Sequence, residues 1–161
     1  MPSPITLDPR HPGTNIRRFM ALEASLNILG ALPMLLMPST CARSLTHPGS
    51  ASPATAQLIQ WLGALTLGLT PQLLLALPNT KTAIESRAMA YVTLGAGEAA
   101  LVGVMLWQAW GGSAEGGFTG RALVGAAGVL APTLVARAWV LFWRPEVLGR
   151  YVEGGRGGKE T

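Results

Sequence analysis

The chain has 161 residues, of which 49% are hydrophobic and 12% charged. A soluble domain carries about 25% charged residues, so this balance, with a mean hydropathy of +0.36, excludes both an ordinary soluble globule and a disordered chain. The formal net charge is +4, but the basic residues lie mostly outside the apolar segments and build no basic face, so nucleic acid is not an expected partner.

Residues 1–18 read as a proline-rich tail. Four apolar segments follow: Phe19–Met37, Ala56–Leu77, Ala88–Trp110 and Ala122–Trp143, each of 19 to 23 residues. A bilayer core of about 30 Å needs roughly 20 residues of helix, and helices satisfy their own backbone in lipid. The expected fold is therefore all-α, a polytopic bundle of four transmembrane helices with short loops. A soluble four-helix bundle would carry a charged outer face, which these segments lack. The first segment is read as a retained anchor. A signal peptide cleaved near Ser39-Thr40-Cys41-Ala42 is the alternative. Between the spans, Pro38–Thr55 reads as a loop, and Pro78–Arg87 and Gly111–Arg121 as turns. Residues 144–161 form a glycine-rich tail, with GGRGGKET expected to be disordered.

Lys and Arg set the orientation. Nine lie in the N-terminal tail, the second loop and the C-terminal tail: Arg10, Arg17, Arg18, Lys81, Arg87, Arg144, Arg150, Arg156 and Lys159. Two, Arg43 and Arg121, lie opposite. Both termini are expected to be cytoplasmic, with the endoplasmic reticulum as the membrane in a eukaryotic host. Trp107 and Trp110 fall at the far interface, and Tyr91, Trp139 and Trp143 at the near one, as an aromatic belt.

Polar side chains inside the spans are costly and need a partner or a task. Along alternating helices, Glu23 lies about 6 Å from the cytoplasmic end, Gln72 about 8 Å, Arg137 about 9 Å and Glu98 about 15 Å. Asn27 follows Glu23 by one turn, and Thr133 precedes Arg137 by one. These residues come from all four spans and converge between the cytoplasmic surface and the midplane. They predict a polar-floored cavity opening toward the cytoplasm. The competing reading is a structural network in which Glu23 pairs with Arg137 and the amides bridge helices. Glu23 could also snorkel to the interface. Glu98, Glu23 and Arg137 are the catalytic candidates; Asn27, Gln72, Thr133, Trp61 and Tyr91 are the substrate-binding ones. Trp61 has a second reading as an interface anchor. Pro33, Pro71 and Pro132 interrupt three spans and can kink them. The stripe Gly95, Ala99, Gly103 permits close packing.

The only histidines, His11 and His47, fall in different polar segments, so no metal is assigned. Cys41 is the only cysteine, which excludes an intrachain disulfide. No G-x-S-x-G, H-E-x-x-H, C-x-x-C or P-loop occurs, and no cofactor is expected.

Four spans with buried acids and internal prolines resemble, in architecture, the sterol-isomerase and sigma-2-receptor group. The runs LEASLNILGALPMLLMP, GALTLGLTPQLLLALPN and VARAWVLFWRPEVLGRY look like small four-helix membrane proteins of filamentous fungi. Some proteins of that sort accompany terpenoid and polyketide pathways as cyclases, isomerases or pericyclases. The resemblance implies a membrane enzyme for a redox-neutral cyclisation, isomerisation or pericyclic rearrangement of a lipophilic metabolite. The alternatives are a lipid- or sterol-binding protein or carrier without chemistry, and a structural assembly subunit. The expected partners are that lipophilic molecule, membrane lipid, and a second copy or a pathway enzyme.

Overall fold

A computed structural model describes residues 5–111 and 117–153. The expected disordered tail and residues 112–116 of the third loop lie outside the described residues. The described chain is mainly helical, with one short antiparallel ribbon. Helices α1 (Thr14–Leu36), α3 (Pro53–Leu75), α4 (Lys81–Gly111) and α5 (Gly120–Phe142) are all long and apolar enough to cross a membrane. Helix α2 (Pro38–Leu45) is short and follows α1 directly. A 3₁₀ turn, Pro145–Leu148, follows α5. Strands β1 (Ile5–Leu7) and β2 (Tyr151–Glu153) pair antiparallel.

The helix starts follow from local chemistry. Pro38 and Pro53 occupy first-turn positions, where a missing N–H costs nothing. Ser52 Oγ accepts from Thr55 N at 3.1 Å, and Thr119 Oγ1 from Ala122 N at 3.2 Å. Both are N-caps. Thr80 Oγ1 accepts from Ala83 N at 3.3 Å. This cap starts α4 at Lys81, so the expected turn Pro78–Arg87 is mostly helix. The expected loop Pro38–Thr55 likewise contains α2. Pro33, Pro71 and Pro132 all sit inside helices that continue past them.

The bundle is two hairpins. Helix α1 packs along α3, and α4 along α5, while α3 and α4 touch only lightly. The end carrying Gly13, Asn79 and Leu148 is called proximal here, and the end carrying α2 distal. One apolar cluster fills the proximal half: Ile16, Met20, Leu73, Tyr91, Leu94 and Leu148, with small residues between them. A smaller cluster, Ala42, Ala56 and Ile59, joins α2 and α3 distally. The distal loops meet where Thr46 bridges Phe118 and Thr119 N donates to Leu45 O at 2.9 Å. Outward faces are apolar: Leu29, Leu65, Val129 and Phe142 are all exposed. Only about a fifth of each apolar window (22%) is buried inside the protein. Lipid must cover the remainder, and the chain is an integral multi-pass membrane protein.

Candidate functional site

Arg137 of α5 is 1% exposed and lies at the centre of a polar cluster in the bundle. Its Nε donates to Glu98 Oε2 of α4 at 3.0 Å, and its Nη2 to Glu98 Oε1 at 3.3 Å. Nη2 also donates to Glu23 Oε1 of α1. One turn before Arg137, the Thr133 hydroxyl lies within donating distance of Glu98 Oε1 at 3.2 Å and of Leu130 O at 2.7 Å, and its one proton serves one of them at a time. The Tyr91 ring covers the guanidinium, with Arg137 Cζ 4.9 Å from its centroid. Gly95 lies against the arginine stem; a Cβ there would meet Arg137 Cδ at 3.6 Å, an ordinary packing distance.

The cluster joins residues that are far apart in sequence. Glu98 and Arg137 tie α4 to α5 within one hairpin. Glu23 ties that hairpin to the other across α1. Two carboxylates share one guanidinium, so the fully ionised cluster is negative by one charge. A single net charge held in low dielectric is expensive, and one added proton makes the cluster neutral.

Each candidate has a definite place. Glu23, Glu98, Thr133, Arg137 and Tyr91 come together. Tyr91 is buried and stacked on Arg137, not an interface belt residue. Asn27 and Gln72 are half-buried and make no side-chain hydrogen bond among the described residues. Trp61 is 66% exposed and does not join the cluster. Trp107, Trp110 and Trp143 are exposed on the outer faces. His11 and His47 sit at opposite ends, His11 beside Asp8 and His47 beside Gly117. No group of three or more His, Cys, Asp or Glu forms among the described residues.

Where a cavity was expected to open at the proximal end, buried apolar side chains lie instead. Met20, Leu73, Ala76 and Tyr91 fill that space and pack against one another. The Glu98 side chain, 13% exposed, is the most accessible part of the ion cluster. A recess of about 300 Å³ lies instead at the distal end, lined by Thr46, Thr55, Leu58, Ile59, Leu62 and Phe118.

Sequence reasoning missed Arg87, which it counted as a loop charge. Arg87 is completely buried. Its Nε donates to Ala76 O at 2.9 Å and its Nη1 to Leu148 O at 2.6 Å. Its Nη2 donates to Pro78 O and to Asn79 Oδ1, both at 2.9 Å. Arg17 Nε adds a bond to Leu77 O at 2.6 Å. Both arginines therefore cap the carbonyl end of α3, where the helix dipole favours cations. Gly13 and Gly149 leave room for Arg87: a Cβ on either would approach Nη1 to 2.7 or 2.8 Å. The available signal was spacing. Arg87, Tyr91, Leu94 and Glu98 recur at i, i+4, i+7 and i+11, one face of a helix.

Compared with protein-family models, with curated proteins and with solved structures, the chain matches none.

Proposed function

We propose that this chain is a small membrane enzyme that performs redox-neutral isomerisation or cyclisation of a lipophilic, terpenoid- or polyketide-like metabolite. The supporting observation is that two buried carboxylates share a single guanidinium. A purely mechanical bridge between the hairpins would need only Glu23 and Arg137. The second acid leaves the pair with one exchangeable proton. An acid that delivers it to a double bond or a carbonyl oxygen creates a cationic intermediate. Loss of a proton from another carbon to the carboxylate then restores the site, with no change in substrate mass. Arg137 and Thr133 hold Glu98 in position, and Tyr91 walls the site. The Lys and Arg asymmetry supports a cytoplasmic position for both termini and the proximal end.

Because isomers have equal mass, deletion of the gene should convert one metabolite peak into another of identical mass and different retention. Wild-type protein restores the product. Glu98→Gln, present in the membrane at wild-type level, should restore it ~10²-fold less or worse. Full restoration by Glu98→Gln rules out proton donation by Glu98. A second reading, an assembly subunit whose cluster only clamps helices, is favoured by Arg137 contacting acids from both hairpins. That reading predicts no metabolite change on deletion.

A further inference from the structure

Two atoms of the cluster are left over. Glu23 Oε2 and Arg137 Nη1 are shielded from solvent and have no hydrogen-bond partner among the described residues. Native structures rarely leave such groups bare, because each has lost water and gained nothing. The two atoms belong to directly contacting groups. One is an acceptor and the other a donor. Elsewhere the cluster is satisfied: Glu98 accepts from Arg137 Nε and Nη2 and from Thr133.

A ligand group completing this site must both accept and donate. A ketone or ether only accepts, and would leave Glu23 Oε2 bare. An ammonium only donates, and would leave Arg137 Nη1 bare. A carboxylic acid would bring a third acid to one guanidinium. A hydroxyl does both through one atom and adds no charge. The flanking side chains are apolar and buried, Met20 and Ala24 on α1 and the Tyr91 ring on α4. Resting on the acid–base reading above, we propose that Glu23 and Arg137 bind the hydroxyl group of a lipophilic alcohol. Its oxygen accepts from Arg137 Nη1, and its O–H donates to Glu23 Oε2. The hydroxyl enters where α1 faces α5, between the two hairpins.

The test uses the full chain in lipid nanodiscs with three probes: farnesol, its methyl ether, and the hydrocarbon farnesene. Saturable binding of tritiated farnesol is measured, with the other two as competitors. The ether keeps the acceptor and loses the donor, so it should compete roughly tenfold or more weakly than unlabelled farnesol. Farnesene should be weaker still. In Glu23→Gln, the amide carbonyl stays on Arg137 and its NH₂ meets the ligand. The ether should then bind at least as well as farnesol. Equal competition by all three probes against wild-type protein, or no saturable farnesol binding, overturns the proposal and leaves the position to a water molecule. Retention of the alcohol preference in Glu23→Gln also overturns it. If that variant does not accumulate, the wild-type comparison decides alone. The outcome is separable from the acid–base reading. Alcohol selectivity with fully active Glu98→Gln keeps the site and removes the chemistry, whereas equal competition with inactive Glu98→Gln does the reverse.

Discussion

Replacing Arg87 by Met should be among the most damaging single changes in the chain. Met roughly fills the space of the arginine stem, so the loss is chiefly of hydrogen bonds. Two of them, to Ala76 O and Leu148 O, are buried. Those to Pro78 O and Asn79 Oδ1 lie in a partly buried region, where water can replace the donor. A hydrogen bond to a charged group is worth about 1.5–3 kcal/mol, so the buried pair alone suggests about 3–6 kcal/mol. Bonds that share one guanidinium are not additive, and the variant is spared the desolvation of a buried cation. Both corrections lower the figure, and the expected loss is about 3–4 kcal/mol. Reversible unfolding in mixed micelles measures it. Arg87→Lys keeps the charge but not the fork, and should fall between wild type and Arg87→Met. Protease should also cut residues 149–153 faster in Arg87→Met, because Leu148 loses its tether. An Arg87→Met protein within about 1 kcal/mol of wild type would refute the argument, placing the effect in the ordinary surface range.

Other outcomes follow from the same geometry. Gly13→Ala forces a Cβ to 2.7 Å from Arg87 Nη1 at a φ of 65°, and should lower stability by more than about 1 kcal/mol in the same unfolding assay. Trp61→Ala removes an outward-facing ring and should leave the product level in the complementation assay unchanged. A membrane-impermeant thiol reagent should modify His47→Cys, made in a Cys41→Ala background, from the non-cytoplasmic side and Thr80→Cys from the cytoplasmic side. The reverse pattern would invert the orientation. The Arg144 hydrogen bond holds the Glu146 carboxyl below the ordinary glutamate range. An NMR titration should find that Arg144→Ala raises it.

The four spans could be read from the sequence because length and charge depletion are conserved quantities of a lipid-crossing helix, independent of packing. The meeting of Glu23, Glu98 and Arg137 was readable for a related reason: an arginine within a span is costly alone, and the available acids lay at compatible depths. Depth says nothing about what occupies the space beside a side chain, so the proximal cavity was expected where Met20 and Leu73 actually pack. Trp61 and Tyr91 show the same limit. Their heights in the membrane could be estimated, but the helix face each takes depends on its neighbours. Tyr91 turns inward onto Arg137, while Trp61 turns out to lipid. The α4 start was missed by reading Pro78-Asn79 as the beginning of a longer turn and overlooking the cap that Thr80 supplies. The ribbon between β1 and β2 has no local signal, because its two strands stand at opposite ends of the sequence.

The spacing of the ion cluster along the chain also imposes an order on biosynthesis. Glu23 and Arg137 are 114 residues apart. At translation rates of about 5–20 residues per second, roughly 6–23 s separate their emergence. During that interval the first hairpin must reside in the membrane with an acid whose guanidinium does not yet exist. Arg87 waits as well, for the carbonyl of Leu148, 61 residues later. The polar contacts that close this molecule are thus the last to be made. A ribosome that stops before α5 leaves three spans in lipid with two acids, Glu23 and Glu98, and no guanidinium to answer them.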